Sequence, residues 1–298
     1  MKTKINKLTL ILVIILIPVQ YCFSKVIPRD NNVKITYIAN EGFLIKVKDK
    51  TILIDALFGD KEYGFCDIPV TSQLELMKNA KEDFENIDLI AATHCHDDHF
   101  YASFVVDHLA NNKHGKFIST EQTIDQIKEI GNYNENIKAQ LVEITPDSLT
   151  YNDTIINGIE IRVYRLIHGP YYVNDPETGK RINRHQNIQN LGFLFNINGI
   201  KIFHCGDSNS AGKLDYECFR LDKENIDISF LDREFMWSKE CAGIDVIKNY
   251  IKPKHIVLMH IHHDQNKSFI DVANTLTEDF PSVKIFEKQM ETKTYIIQ

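Results

Sequence analysis

The stretch Ile87-Asp-Leu-Ile-Ala-Ala-Thr-His-Cys-His-Asp-Asp-His-Phe100 decides how this chain is read. An apolar, strand-like run stops at Thr93. Within the next six residues come His94, His96, Asp98 and His99, all ligands for a borderline divalent cation. In an extended backbone, residues two apart project to one side, so His94 and His96 can reach the same ion. Asp98 and His99 then turn away, where Tyr101 to Ala110 begins to look helical, and are placed to hold a second ion beside the first. The whole chain has 12 histidines in 298 residues, too few to make so dense a cluster an ordinary polar turn.

Upstream, Val33 to Ala39, Phe43 to Val47 and Thr51 to Asp55 read as three strands joined by tight turns. The third ends in Asp55. A carboxylate at the end of a buried Ile-Leu-Ile run needs a partner, and the far nitrogen of a metal-binding histidine is an apt one. A helix capped by Thr71 or Ser72 should run to Asn79, and Ile87 to Thr93 returns to the sheet. Downstream the α/β alternation continues. A helix over Tyr101 to Ala110, a strand over Lys116 to Ser119 and a helix over Glu121 to Ile130, started by Thr120, lead to strands at Gln140 to Ile144 and Ile159 to Arg165.

The last of these strands runs into His168-Gly169-Pro170, which stops it and leaves His168 placed like the first ligand loop. Pro170 to Gln189 has no hydrophobic period and reads as a loop. Irregular segments of about 20 residues beside a site usually touch substrate. Tyr171 and Tyr172 at its start, and Arg181, Arg184 and His185 further on, are the candidates for gripping one.

Gly192-Phe-Leu-Phe-Asn-Ile-Asn-Gly-Ile-Lys-Ile-Phe-His-Cys-Gly-Asp207 echoes Gly42-Phe-Leu-Ile-Lys-Val-Lys-Asp-Lys-Thr-Ile-Leu-Ile-Asp55. Each has Gly-Phe-Leu, a hairpin, and an apolar strand ending close to an aspartate, which suggests an internal duplication. Two related sheets would pack face to face with helices outside, and Asp207 would sit where its carboxylate can bridge two ions. Strand-like Ile226 to Leu231, helix-like Ile244 to Tyr250 and strand-like His255 to Met259 follow, the last ending in His260-Ile261-His262-His263. Either His260 or His262 could complete the second ion's ligands. A helix over Ser268 to Leu276 and a strand over Val283 to Phe286 close the domain. Cys95 should point away from its histidine neighbours into packing, and His204 and Cys205 alternate along a buried strand.

At the N-terminus, Lys2, Lys4 and Lys7 precede a largely apolar run from Leu8 to Val19, and polar residues return at Gln20. This is the layout of a secretory signal peptide over residues 1–24, leaving 25–298 as one domain of the size of a large α/β fold. The run is shorter than the about 20 residues a membrane helix needs. Membrane contact is therefore expected only through this segment or a lipid on Cys22. Periplasmic or secreted localisation follows. The formal net charge is −7, and loss of residues 1–24 removes three lysines and no acid, leaving −10. Nucleic acid is an unsuitable partner for such a chain, which lacks clustered Lys and Arg; a small molecule is the expected one. Five cysteines remain beyond residue 24, sparse and odd in number, against a disulfide scaffold. Cys218 with Cys241 stays open as a pair.

With His94, His96, Asp98, His99, His168, Asp207 and a late His260 in that order, the chain resembles the metallo-β-lactamase-fold hydrolase superfamily. The motifs Ala39-Asn-Glu-Gly-Phe-Leu-Ile, Asn190-Leu-Gly-Phe-Leu, Phe203-His-Cys-Gly-Asp-Ser208 and Lys252-Pro-Lys-His-Ile-Val-Leu-Met-His260 are most similar to its L-ascorbate-6-phosphate lactonase-like, zinc-dependent branch. The resemblance implies an α/β (α+β) fold, a four-layer αββα sandwich with the site at one edge. It implies that His94, His96 and His168 hold one metal ion, Asp98, His99 and His260 the other, and that Asp207 bridges them. Asp55 matches the family's strand-end aspartate, Met-His-Ile favours His260 over His262, and His262 remains a substrate-contact candidate with Tyr171 and Tyr172. The ions expected are zinc, with manganese or iron as alternatives.

The function expected is an exported binuclear hydrolase acting on a small ester, lactone or phosphodiester, with Asp98 also orienting the attacking water and taking its proton. Three other readings compete. A periplasmic β-lactamase is disfavoured by Asp207, since classical β-lactamases of the superfamily lack an aspartate there. An iron-dependent redox member would need oxygen, and a non-catalytic ligand-binding protein would not need the full ligand set.

Overall fold

The computed structural model describes residues 31–59 and 61–297, so residues 1–24, read from sequence as a signal peptide, and Cys22 within them lie outside the described residues. Alternation of buried and outward residues starts at once in β1 (Asn32–Ala39), where Val33, Ile35 and Tyr37 are buried. β2 (Gly42–Val47), β3 (Lys50–Ile54), β4 (Leu89–Ala91), β5 (Lys116–Ser119) and β6 (Leu141–Glu143) complete most of a first sheet. The second sheet uses β7 (Tyr151–Ile156) and β8 (Ile159–Ile167), then, after a separate hairpin of β9 (Tyr172–Asn174) and β10 (Arg181–Asn183), β11 (Gln189–Ile197), β12 (Ile200–His204), β13 (Ile228–Asp232), β14 (His255–Met259) and β15 (Val283–Ile285). β16 (Thr292–Ile296) returns to the first sheet beside β1.

The two sheets repeat one plan. The first runs β16-β1-β2-β3-β4-β5-β6 and the second β7-β8-β11-β12-β13-β14-β15. In each, the first four strands pair antiparallel and the last three join in parallel. This is the duplication that the Gly-Phe-Leu echo suggests. The inner faces share one core, with Phe43 of β2 meeting Phe230 of β13 at 4.7 Å between ring centroids. On the outer face of the first sheet, Leu44, Leu53, Ile90 and Phe117 pack on α1 (Thr71–Lys78), α2 (Ala102–Asn111) and α3 (Glu121–Lys128). After the short α4 (Glu135–Lys138), the helices α5 (Lys213–Phe219), α6 (Ala242–Val246) and α7 (Asn266–Thr275) belong to the second half. Tyr216, Phe219, Ile244 and Val246 join its core, and the αββα sandwich is complete. Among the described residues no helix is long and apolar enough to cross a membrane.

Several sequence expectations need correction. Pro170 to Gln189 is not all loop, because β9 and β10 pair within it, Tyr172 opposite Asn183. Helix α1 is preceded by Val70 with no side-chain cap, whereas Thr120 does cap α3, its side chain accepting from the Thr123 amide. The edge strands β7 and β16 escape a hydrophobic-pattern reading because their residues are mostly exposed; ladder hydrogen bonds to one neighbour hold them. All five described cysteines, Cys218 and Cys241 included, are free.

In the outer layer, His108 of α2 is fully buried. The Asn112 Nδ2 donates to its Nε2 at 3.2 Å, so its single ring proton sits on Nδ1 and goes to the Met77 carbonyl at 2.6 Å. Burial lowers its pKa to about 4. A histidine depressed in this way stabilises the fold above its unfolded pKa and loses that contribution as pH falls. About 3 kcal/mol should therefore disappear between roughly pH 6.5 and 4. Urea unfolding at pH 7 and pH 4.5 checks this, with the pH dependence shallower in His108→Gln.

Candidate metal centre

Every residue of the candidate site leaves the sheets at the same end. Asp55 follows β3, His94 to His99 follow β4, and Asp207 lies just past β12. Asp232 ends β13 and His260 follows β14. Ligands in open α/β sheets gather beyond the carboxyl ends of strands in this way. Asp55 and His260 both take left-handed backbone, with φ of 44° and 60°, and a non-glycine residue held there costs about 1–3 kcal/mol. Such strain is found where a side chain must be aimed.

Gly206 makes the approach of Asp207 possible. Its φ is +54°, and a Cβ there would stand 2.5 Å from Asn190 Oδ1 and 2.8 Å from Thr93 Cβ. Only glycine lets the second hairpin close over the ligand loop.

Two sets of side chains converge. In the first, His94 Nε2 lies 3.0 Å from His96 Nδ1 and 3.3 Å from His168 Nε2, with Asp207 Oδ2 3.8 Å from His94 and 3.5 Å from His168. In the second, Asp98 Oδ2 lies 3.4 Å from both His99 Nε2 and His260 Nε2. The other oxygen of Asp207, Oδ1, lies 3.3 Å from His99 Nε2 and 4.0 Å from His260 Nε2. One carboxylate thus faces both sets.

The donor set fits cations. His94 Nδ1 is 3.0 Å from Thr93 Oγ1, which itself donates to Asp55 Oδ2 at 2.7 Å and therefore accepts from the ring. His168 Nδ1 donates to the Gly169 carbonyl at 2.8 Å, His99 Nδ1 faces Asp55 Oδ2 at 3.2 Å, and His260 Nδ1 faces Asp232 Oδ2 at 3.3 Å. Four far nitrogens held by oxygens fix four rings with Nε2 lone pairs turned inward. His99 Nε2 and Asp207 Oδ1 are buried with no hydrogen-bond partner. Lone pairs packed this closely repel one another unless a positive charge lies between them.

The electrostatics agree with that arrangement. Burial, with neighbouring imidazoles, holds His94 and His168 below the usual histidine range and brings His96 to about 4, so these three are neutral and ready to ligate. Burial pulls His99 and His260 the same way, but the carboxylates of Asp207 and Asp98 outweigh it and raise both. Protons there do what a cation would do. Asp98 stays ionised, its burial outweighed by His99 and His260, and Asn40 Nδ2 donates to its Oδ2 at 3.2 Å.

Three contributors escaped the sequence reading. Asp232, which orients His260, ends the run Ile-Ser-Phe-Leu-Asp and repeats the Ile-Leu-Ile-Asp55 pattern; that repetition was the available signal. Burial raises its pKa to about 6. Asn40 holds Asp98. Glu41, fully buried 3.7 Å from His99 Nδ1, has both oxygens without a hydrogen-bond partner, and burial and the Asp207 carboxylate push its pKa well up. Asn40 and Glu41 fall within the Ala39-Asn-Glu-Gly-Phe-Leu-Ile motif, but the local pattern is that of a polar hairpin turn and carries no sign that Glu41 is buried beside His99. Asp232→Asn should weaken metal retention by about 10–100-fold with the fold intact, as measured by competition with a chromophoric chelator.

Of the substrate-contact candidates, Tyr171 and His185 line a cleft of about 750 Å³ that also takes in His168, Asp207 and His260. His185 lies edge-on to His168, with ring centroids 4.3 Å apart. Tyr172 and His262 are outside this lining: Tyr172 lies under the Arg181 guanidinium, 4.2 Å away, and His262 turns to Asp67 at 3.6 Å. Tyr172 sits in the β9–β10 ladder opposite Asn183, and Asp67 of the 61–70 loop holds the adjacent His263 by its amide and ring. The Cys95 thiol lies 3.8 Å from Gln122 Oε1, and the residue lines the cleft beside His96 rather than packing in the core.

Two sheets of one plan, packed face to face with a two-part imidazole and carboxylate cluster at one edge, define the metallo-β-lactamase class of fold. The chain belongs to the family described as the beta-lactamase superfamily domain, which residues 50–274 match. A metal-dependent hydrolase of Pyrococcus furiosus is 24% identical over 229 residues, covering 76% of this chain and 84% of that protein. Among solved structures, Igni18, a metallo hydrolase from Ignicoccus hospitalis, superimposes with a TM-score of 0.58 at 18% identity over 90% of this chain and 100% of its own. CmlA, a diiron β-hydroxylase from Streptomyces venezuelae, shares the fold at 13% identity and a TM-score of 0.52, over 90% of this chain and 54% of its own.

Proposed function

We propose that this chain is an exported metal-dependent hydrolase that holds two divalent ions and cleaves a small ester, lactone or phosphodiester. The observation that carries the reading is the division of Asp207, with Oδ2 toward His94 and His168 and Oδ1 toward His99 and His260. His94, His96 and His168 would hold one ion, and Asp98, His99 and His260 the other. The nitrogen-rich donor set favours zinc. Ions so held supply a water of lowered pKa and a Lewis acid for the bond under attack.

The chain's own residues supply the rest. Asp98, ionised and fixed by Asn40, orients the attacking water and takes its proton. Asp55 and Asp232 keep His99 and His260 in register. The cleft is open, and Phe65, Tyr171 and Trp237 on its wall are each about half exposed, a surface for the apolar part of a substrate. Export rests on Lys2, Lys4, Lys7 and the apolar run that follows them.

Hydrolysis of a chromogenic phosphodiester, a lactone and a cephalosporin, each with and without chelator, tests the proposal. Chelator-sensitive turnover of the phosphodiester or the lactone is expected. Turnover indifferent to chelator, or turnover that requires iron and dioxygen, would overturn it.

A further inference from the structure

We propose that Asp67, His262 and His263 form a third cation site, outside the two ligand sets, that takes a single divalent ion of the zinc or nickel type. His262-His263 is the one part of the histidine-rich stretch after β14 that the candidate centre does not use. In the structure both rings turn to one carboxylate on another segment. Asp67 Oδ1 lies 2.6 Å from His263 Nδ1 and 3.6 Å from His262 Nε2, and the ring centroids are 4.3 Å apart. The three ligand atoms fall within 4.8 Å of one another.

A second carboxylate stands behind the rings. Asp264 places Oδ1 3.2 Å from His263 Nε2 and Oδ2 3.6 Å from His262 Nδ1. Near nitrogens on one carboxylate and far nitrogens on another is the arrangement that orients metal-binding imidazoles, and Asp55 and Asp232 supply it in the larger centre. The Asp264 amide also reaches His262 Nδ1, at 3.4 Å, a long contact that yields when this nitrogen carries the ring proton. Asp67 comes from a separate segment, and its other oxygen accepts the His263 amide at 3.0 Å, which holds the carboxylate to the turn that carries the rings. The side chain of His263 is 61% exposed, which leaves a position open to water. Two imidazoles and a carboxylate suit zinc or nickel, whereas magnesium and calcium prefer oxygen.

The consequence lies in what the site would fasten. Asp67 belongs to the irregular segment Lys61 to Val70, whose Phe65 lies against the His260 ring, 6.4 Å between centroids. The same segment is tied to Asp97 in the ligand loop through Lys61 and Tyr63, both at 2.7 Å. A cation on Asp67, His262 and His263 clamps this segment to the residues after β14 and fixes Phe65 over the cleft.

Equilibrium dialysis of the full chain against zinc, with the retained metal counted, tests the site in wild type, His263→Gln and Asp67→Asn. Wild type should retain one equivalent more than either variant, and its melting temperature should rise over the zinc range that fills this extra site while theirs stays level. Equal counts in all three chains, each melting cooperatively, would overturn the proposal. The site shares no ligand with the larger centre, so a low total count in every chain would contradict the binuclear reading while leaving this difference intact.

Discussion

Asp207→Ala should lower turnover by on the order of 10³-fold or more and leave the chain unable to keep both ions after dialysis. The expected size follows from position. Among the described residues Asp207 is the only carboxylate whose two oxygens face different imidazole sets, so on the proposed reading its loss would remove a ligand from each and the link between them. It is also ionised against its surroundings: burial favours the neutral acid, yet His99 and His260 hold it well below the usual carboxylate range. Asp207→Asn keeps the shape and removes the charge. It should retain more metal than Asp207→Ala and still lose most of the activity. Metal analysis and initial rates on the same preparations separate the two effects.

Chelation should destabilise the chain by more than any single substitution. A ligand that binds only the folded state contributes about 4 kcal/mol when present at a thousand times its Kd. Two such ions correspond to a fall in melting temperature of about 10 °C or more on removal. The metal-free chain should also acquire a pH dependence from its unligated histidines, in addition to that of His108. His94, His96 and His168, depressed by burial, stabilise the fold above roughly pH 6.5 and lose that contribution as pH falls, for His96 down to about 4. His99 and His260, raised by Asp207 and Asp98, behave oppositely: their contribution is complete below roughly pH 6.5 and is lost as pH rises through their folded values. The metal-free chain should therefore be most stable near pH 6.5, with zinc restoring stability most on the alkaline side, where the ligands are free of protons. Thermal melts across pH 5 to 9, with and without zinc, check both arms.

Much of this architecture is legible in the residues. The strands flanking the centre announce themselves because they are buried on both faces and stop at a polar residue, as in Ile-Leu-Ile-Asp55 and Val-Leu-Met-His260. The duplication is legible because Gly42 and Gly192 open the same hairpin, and both sheets repeat one seven-strand plan. What stayed hidden has physical reasons. β7 and β16 are edge strands held by backbone bonds, which no side-chain period records. Glu41 and Asn40 act only because the fold brings their turn under His99 and Asp98. His262 is two residues from a candidate ligand and yet turned to Asp67, nearly two hundred positions away in the chain, a choice made by the 61–70 segment.

Anomalous diffraction from zinc-soaked crystals tests the binuclear centre most directly. Apart from the peak that the site on Asp67, His262 and His263 predicts, two peaks are expected at the edge of the sandwich, one within about 2.0–2.2 Å of His94, His96 and His168, the other as close to Asp98, His99 and His260, with Asp207 touching both. A single peak there, or two peaks with Asp207 bound to neither, would contradict the account.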